Sequence, residues 1–158
     1  MKKQQPSLLE SIGQTRPFSS IGQETLVSLL KTADVIRTRA ERDLEPYGLT
    51  FQQYNVLRIL RGAGEPLQTM EIANRLIEHA PGMTRLLDRL EAKKLIQRER
   101  MSTDRRVVLC SLTEAGRELL LSSDAAMDKI DHTTLESMDM TDLKSLLTIL
   151  ADVRERFF

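Results

Sequence analysis

Hydrophobic residues recur every three or four positions along several stretches of the chain, which is the period of an amphipathic helix. The first stretch covers residues 22–45 and ends before Pro46 and Gly48, two residues that disfavour the continuation of a helix. The second begins after Thr50, whose hydroxyl can cap the amide of Gln53 while the Gln53 side chain reaches back. These patterns predict two consecutive helices.

Two shorter helical patterns follow. Thr69 is the predicted N-cap of the first, and its predicted inward positions are Met70, Ala73, Leu76 and Ile77. The second follows a break around residues 78–82, with Pro81 in its first turn. Its apolar stripe consists of Met83, Leu86, Leu87 and Leu90. A polar row lies on the opposite side and consists of Thr84, Arg85, Asp88 and Arg89.

The period then changes from helical to alternating. A period of two over residues 95–101 places Ile96, Arg98 and Arg100 on one face, and residues 105–112 are rich in β-branched side chains, so the two runs predict an antiparallel hairpin. Two more helices are predicted after it, one opening at Thr113 and Glu114 and the other at Thr141 and Asp142. We therefore predict a mainly α fold with a small antiparallel β-hairpin, in the order of a winged helix-turn-helix.

The charge distribution is compatible with a polyanionic partner. The chain has 23 basic and 23 acidic residues, yet residues 80–110 hold eight bases against four acids, a net charge of +4. A helix fits the major groove of DNA, arginine can bind guanine with two hydrogen bonds, and an arginine on a hairpin can enter the minor groove. A solvated charged face that binds nothing would show the same pattern.

Composition excludes several other classes. The single cysteine, Cys110, cannot support an intrachain disulfide framework, and with only His79 and His132 the chain is poorly supplied for a metal site. No apolar run approaches the ~20 residues of a membrane span, and no secretory leader is visible, so we expect a cytoplasmic protein. We find no pairing of nucleophile and base and no phosphate-binding glycine loop, and we expect neither enzymatic activity nor a cofactor.

Several short motifs together resemble the MarR family of bacterial transcriptional regulators. They are residues 82–91 (GMTRLLDRLE), 95–96 (LI), 104–107 (DRRV), 111–116 (SLTEAG) and, upstream, 48–50 (GLT). The resemblance covers residues 22–157. It implies a homodimer that binds palindromic operators on double-stranded DNA, usually as a repressor. It also implies release by a small effector, often an aromatic acid, or by oxidation in some members.

The resemblance also implies a division of the chain. Residues 46–113 would form the winged helix-turn-helix lobe, and residues 1–45 with 114–158 would form a helical dimerisation region. Within the lobe, residues 80–93 would be the recognition helix and residues 95–112 the wing. Apolar residues near both ends that a small monomer would bury poorly agree with a dimer; they are Leu8, Leu9, Ile12, Phe157 and Phe158. Lys94 stands where the family usually has glycine, and there it must adopt a helix-terminal conformation that costs about 1 kcal/mol. The wing tip is about one residue short, which leaves open whether Arg105 or Arg106 enters the minor groove.

The predicted DNA contacts lie at the start of the third helix, along the fourth helix and on the hairpin. They are Gln68, Thr69, Pro81, Gly82, Thr84, Arg85, Asp88, Arg89, Arg98, Asp104, Arg105 and Arg106.

Packing within the fold also explains several other candidate residues. Tyr47 and Tyr54 could contact an effector, although core packing explains them equally well. Cys110 is expected to be a small buried hydrophobe rather than a redox sensor. An alternative function is a winged-helix module that binds a partner protein and does not read DNA.

Overall fold

The computed structural model describes residues 7–78, 82–101 and 106–156. By its internal contacts the chain divides into two units, residues 1–39 and residues 40–158, with the boundary inside the long second helix. Within the described ranges, no helix combines the length and the apolar character needed to cross a membrane.

The first unit contains α1 (Leu8–Ser11) and most of α2 (Ile21–Leu44). Ser7 caps α1, since its hydroxyl accepts from the Glu10 amide at 3.3 Å and its own amide donates to the Glu10 carboxylate at 2.7 Å. Leu8 and Leu9 are half-buried, whereas Ile12 is exposed. Phe157 and Phe158 lie outside the described residues. Several large apolar side chains of α2 face solvent: Ile21, Leu26, Leu30, Val35 and Ile36.

The second unit begins with the end of α2, a 3₁₀ turn (Glu45–Tyr47) and α3 (Phe51–Ala63). The predicted cap of α3 is confirmed, because the Thr50 hydroxyl accepts from the Gln53 amide at 3.2 Å and the Gln53 side chain accepts from the Thr50 amide at 3.1 Å. Six of the 13 residues of α3 are buried, and its apolar side chains Tyr54, Val56, Leu57 and Leu60 belong to the core.

The next helix, α4 (Thr69–Arg75), differs from its prediction. Gln68 rather than Thr69 is the N-cap, and the buried side chain is Ile72, whereas Met70 and Ile77 are 69% and 68% exposed. The helix ends at Arg75 because Leu76 is extended, so Ile77 no longer belongs to the helical face on which its predicted burial depended. A helix of two turns has too few apolar positions for its period to specify the buried side.

Helix α5 (Met83–Ala92) starts three residues later than the predicted residue 80. Its N-cap, Gly82, has a φ of 95°, which lies outside the helical region. Pro81, placed in the first turn by the sequence, precedes this cap and is outside the described residues.

A three-stranded antiparallel sheet packs against these helices. It consists of β1 (Leu67–Gln68), β2 (Ile96–Arg100) and β3 (Val108–Leu112), in the order β1-β3-β2. The hairpin of β2 and β3 was predicted. Strand β1 was not, since two residues are too few to show an alternating period.

Two helices complete the chain, α6 (Glu114–Leu135) and α7 (Met140–Glu155). Thr113 caps α6 as predicted, accepting from the Gly116 amide at 3.0 Å. The cap of α7 is Asp139, whose carboxylate accepts from the amides of Thr141 and Asp142, so the predicted start at Thr141 lies too late. The predicted fold class, mainly α with a small antiparallel hairpin, is confirmed.

Candidate nucleic-acid interface

Helix α5 separates its two faces as the sequence predicts. Leu86, Leu87 and Leu90 are buried at 8%, 1% and 0% exposure. The polar row is exposed along its whole length and consists of Thr84, Arg85, Asp88 and Arg89. Because Arg85 and Arg89 form no salt bridge with another described residue, their guanidinium groups are available to an external anion.

At each end of α5 stands a residue with a left-handed backbone conformation. At the N-terminus, Gly82 has open space around the position where a Cβ would stand, so the backbone is accessible there. At the C-terminus, the Lys94 amide donates to Glu91 O at 2.8 Å and the Leu95 amide donates to Leu90 O at 3.0 Å, the two hydrogen bonds of a Schellman motif. Lys94 has a φ of 59°, which confirms the strained conformation expected of this lysine.

The hairpin lies beside α5 and is tied to it. Arg98, at the centre of β2, donates to the Asp88 carboxylate at 2.6 Å and to the Glu91 carboxylate at 2.5 Å and 2.9 Å. Past the strands, the Met101 amide donates to Val107 O at 3.0 Å. Arg106 is exposed at the described end of the hairpin, whereas Asp104 and Arg105 lie outside the described residues.

A cavity of about 330 Å³ brings several predicted contacts together. Gln68 and Thr69 at the start of α4, Met83 at the start of α5 and Arg106 beyond β2 all line it. The Gln68 amide also donates to the Glu71 carboxylate at 2.9 Å, which fixes the start of α4. Three predicted DNA contacts from separate parts of the chain, Gln68, Thr69 and Arg106, therefore share one side of the lobe.

Comparison with known proteins identifies the family. A family model described as MarR family matches residues 47–107. The uncharacterized HTH-type transcriptional regulator YwoH of Bacillus subtilis is 32% identical over 118 residues, covering 75% of this chain and 85% of YwoH. This chain belongs to the MarR family.

A second curated relative and several solved structures agree. HTH-type transcriptional regulator TtmR of Methylorubrum extorquens is 37% identical over 74% of this chain, which spans 59% of TtmR. A MarR transcription factor from Planctomyces limnophilus is 34% identical, with a TM-score of 0.66 over 85% of this chain and 98% of its own. This MarR-family chain is a DNA-binding transcriptional regulator, and these relatives are regulators rather than enzymes.

Two more distant structures share the fold and were solved with ligands. MepR of S. aureus, in complex with DNA, has 24% identity and a TM-score of 0.74 over 81% of this chain and 94% of its own. CouR of Rhodococcus jostii, bound to p-coumaroyl-CoA, has 22% identity and a TM-score of 0.74 over 86% of this chain and 95% of its own.

The two tyrosines of this MarR-family chain occupy different environments. Tyr54 is 3% exposed, and its hydroxyl donates to Asp124 of α6 at 3.0 Å. Arg61 donates to the same carboxylate at 2.5 Å, and the Arg58 guanidinium lies 5.8 Å from the centre of the Tyr54 ring. Burial, reinforced by Asp124, raises the pKa of Tyr54 to about 12. Tyr47 is half-buried against the core.

Asp124 and Arg61 were not among the predicted functional residues. They link α3 to α6 across 63 positions of sequence. The sequence gives no local signal that two charged residues this far apart form a pair.

Cys110 is fully buried in β3 and opposes both Leu67 and Arg98 in the sheet. Burial raises the pKa of its thiol, which disfavours the reactive thiolate. Its predicted place as a small buried hydrophobe is confirmed.

Proposed function

We propose that this protein is a homodimeric repressor that binds a palindromic operator and is released by a small effector. The observation that carries the proposal is the exposed polar row of α5, on a lobe whose cavity is lined by Gln68, Thr69 and Arg106. Two arginines of this row, Arg85 and Arg89, form no salt bridge with another described residue. Its elements are the helix and hairpin that winged helix-turn-helix proteins present to adjoining grooves.

The polar residues take separate roles in this proposal. Thr84, Arg85 and Arg89 meet base edges and phosphates in the major groove, with Asp88 on the same exposed row. Gln68 and Thr69 bind phosphate oxygens, and the small start of α5 at Pro81 and Gly82 lets its backbone approach the duplex. On the wing, Arg105 or Arg106 enters the minor groove, and the Asp104 carboxylate braces Arg106.

The homodimer is supported by apolar surface on both units. On the first unit this surface consists of the exposed apolar side chains of α2; on the second it consists of Leu121, Leu135, Met140, Leu147 and Ile149. Covering such surface with a second copy removes apolar area from water. A two-fold dimer presents two recognition helices about one duplex turn apart, which selects a palindrome. MepR, a fold neighbour, is solved on DNA.

Release by an effector is supported by a fold neighbour that binds a small molecule. CouR, a fold neighbour, is bound to p-coumaroyl-CoA, a ligand with an aromatic acyl group. In this chain Tyr47 and Tyr54 are the aromatic candidates for such a contact, and Tyr47 is the more exposed of the two.

The DNA-binding part is tested by fluorescence anisotropy with the gene's own promoter region and a scrambled duplex, across salt concentrations. We expect selective binding by the wild type. Arg85→Ala should lose about 10- to 100-fold in operator affinity, with selectivity lost if Arg85 contacts a base and a shallower salt dependence if it contacts a phosphate.

Arg154→Ala is the matched control, since Arg154 is an exposed arginine on α7, remote in sequence from the winged lobe. It should bind as the wild type does. Absence of selective binding by the wild type would reject the proposal. Unchanged operator affinity after alanine replaces both Arg105 and Arg106 would favour the protein-interaction alternative.

A further inference from the structure

The side chain of Arg98 makes contacts within the protein that limit its access to DNA. Its side chain is 23% exposed, whereas the Asp88 and Glu91 side chains that it contacts are 52% and 39% exposed. Its Nη2 donates to both carboxylates, and its Nε donates to Glu91 as well. Three of the five N–H groups of its guanidinium are therefore engaged within the protein.

The placement of these three residues follows from the local geometry. Asp88 and Glu91 are three residues apart in α5, so their side chains are neighbours on one side of the helix. Arg98 shares a sheet face with the buried Ile96, and β2 packs against α5. A planar guanidinium can serve two acceptors at fixed angles, whereas an ammonium is a flexible point charge.

The cluster also balances charge where the duplex would lie. Two carboxylates on a recognition helix would repel phosphates, and Arg98 offsets one of these charges. The hydrogen bonds to Glu91 and then Asp88 raise the pKa of Arg98, which favours its charged form.

We propose that Arg98 is a positioning residue: by holding Asp88 and Glu91 it fixes the hairpin at one angle to α5 and thereby sets operator selectivity, without contacting a phosphate. This inference rests on the proposed function. It assigns Arg98 a different role from the direct contact predicted from the sequence.

The test replaces Arg98 with lysine, which preserves the positive charge but lacks the planar guanidinium that binds two carboxylates. We expect Arg98→Lys to weaken operator binding about tenfold while binding to a scrambled duplex stays within about twofold, because non-specific affinity depends on charge. Arg100→Lys is the matched control, an exposed arginine two residues along the same strand face, and it should behave as the wild type does.

A second arm removes the partners. In the double variant Asp88→Asn, Glu91→Gln, the further change Arg98→Lys should alter operator affinity by less than about twofold, because the guanidinium then has no carboxylates to bind. Operator affinity of Arg98→Lys equal to the wild type's would overturn the inference. An equal loss on operator and scrambled duplex would also overturn it, since that result identifies a phosphate contact.

Failure of the proposed function is separable from failure of this inference. If the wild type shows no selectivity for its promoter, the proposed function fails, and the positioning role is then read from amide hydrogen exchange of the DNA-free protein. Arg98→Lys should speed exchange in β2 and in the last turn of α5 relative to Arg100→Lys. Unchanged exchange would reject the positioning role.

Discussion

At the scale of single residues, the junction after α5 shows how this chain tolerates local strain. Lys94 is the one non-glycine residue in the described ranges with a positive φ. Its amide and that of Leu95 close the helix, and the buried Leu90 and Leu95 pack into the core on either side of it. The apolar contact and the two hydrogen bonds hold a lysine where glycine would fit without strain.

Lys94→Gly should therefore stabilise the protein. We expect its free energy of unfolding to rise by about 1 kcal/mol, because glycine adopts this φ without the steric cost that a Cβ imposes. Lys94→Ala is the control, since it removes the long side chain but keeps the Cβ. Urea denaturation measures both, and an equal gain from alanine and glycine would contradict the explanation.

The sequence predicted the conformation of Lys94 but not the buried side of α4. The Lys94 strain was predictable because glycine is expected at that position in proteins that resemble this one. The exposure of Met70 and the burial of Ile72 were not predictable, because a seven-residue helix can turn either side inward and its packing against α3 and β3 decides between them.

At the scale of elements, α6 begins in direct contact with the start of β2. The Thr113 hydroxyl donates to Lys94 O at 2.7 Å and the Thr113 amide donates to Leu95 O at 3.2 Å. A Cβ on Gly116 would stand 2.1 Å from the same Leu95 carbonyl oxygen. The absence of a side chain at Gly116 lets the helix lie against this backbone.

Gly116→Ala should destabilise the protein by about 1–3 kcal/mol, because a carbonyl held by a hydrogen bond cannot move away without breaking it. Gly62→Ala is the matched control, since Gly62 lies inside α3 with open space around it. That change should raise stability by about 0.5–1 kcal/mol. Thermal and urea unfolding distinguish the two variants. An unchanged stability of Gly116→Ala would refute the close approach of Gly116 to the Leu95 carbonyl.

The hydrogen bond from Tyr54 to Asp124 joins α3 to α6 and makes stability depend on pH. The folded protein holds the pKa of Tyr54 at about 12, against an ordinary value of 10.0. Between these values the unfolded chain has lost the phenol proton while the folded protein keeps it, so the free energy of unfolding falls as pH rises.

Comparison with Tyr54→Phe isolates this effect. From pH 9 to pH 12 the wild type should lose on the order of 2 kcal/mol more stability than Tyr54→Phe does, so the advantage of tyrosine disappears at high pH. Tyr47→Phe, at the other tyrosine of the lobe, should keep the pH dependence of the wild type. Parallel curves for wild type and Tyr54→Phe would show that the buried phenol is not responsible.

At the scale of the whole molecule, apolar surface remains on each unit. Leu26 and Leu30 on α2 are 52% and 73% exposed, and on α7 Leu147 and Ile149 are 65% and 58% exposed. Isolated exposed leucines are ordinary, whereas several on the same helix agree with the surface that the proposed homodimer would cover.

We expect sedimentation equilibrium to give about twice the chain mass of 18.0 kDa. Leu147→Glu should shift the protein toward the monomer and weaken operator binding, because a buried charge opposes association and a single recognition helix loses the second half-site. Ser145→Glu introduces the same charge at a position of α7 that is already polar and exposed, and it should stay dimeric. A wild-type mass of one chain would reject the dimer.

The sequence by itself determined the features that depend on residues within about one helical turn of each other. These include the caps at Thr50 and Thr113, the exposed polar row of α5 and the alternation of the hairpin. Only the tertiary structure decided contacts whose partners are distant in the chain, such as Tyr54 with Asp124, 70 residues apart, and β1 with β3. It likewise turned Arg98 from an apparent free cation into the partner of Asp88 and Glu91. Local periodicity fixes which face of an element is apolar, but the packing of whole elements fixes which polar groups meet.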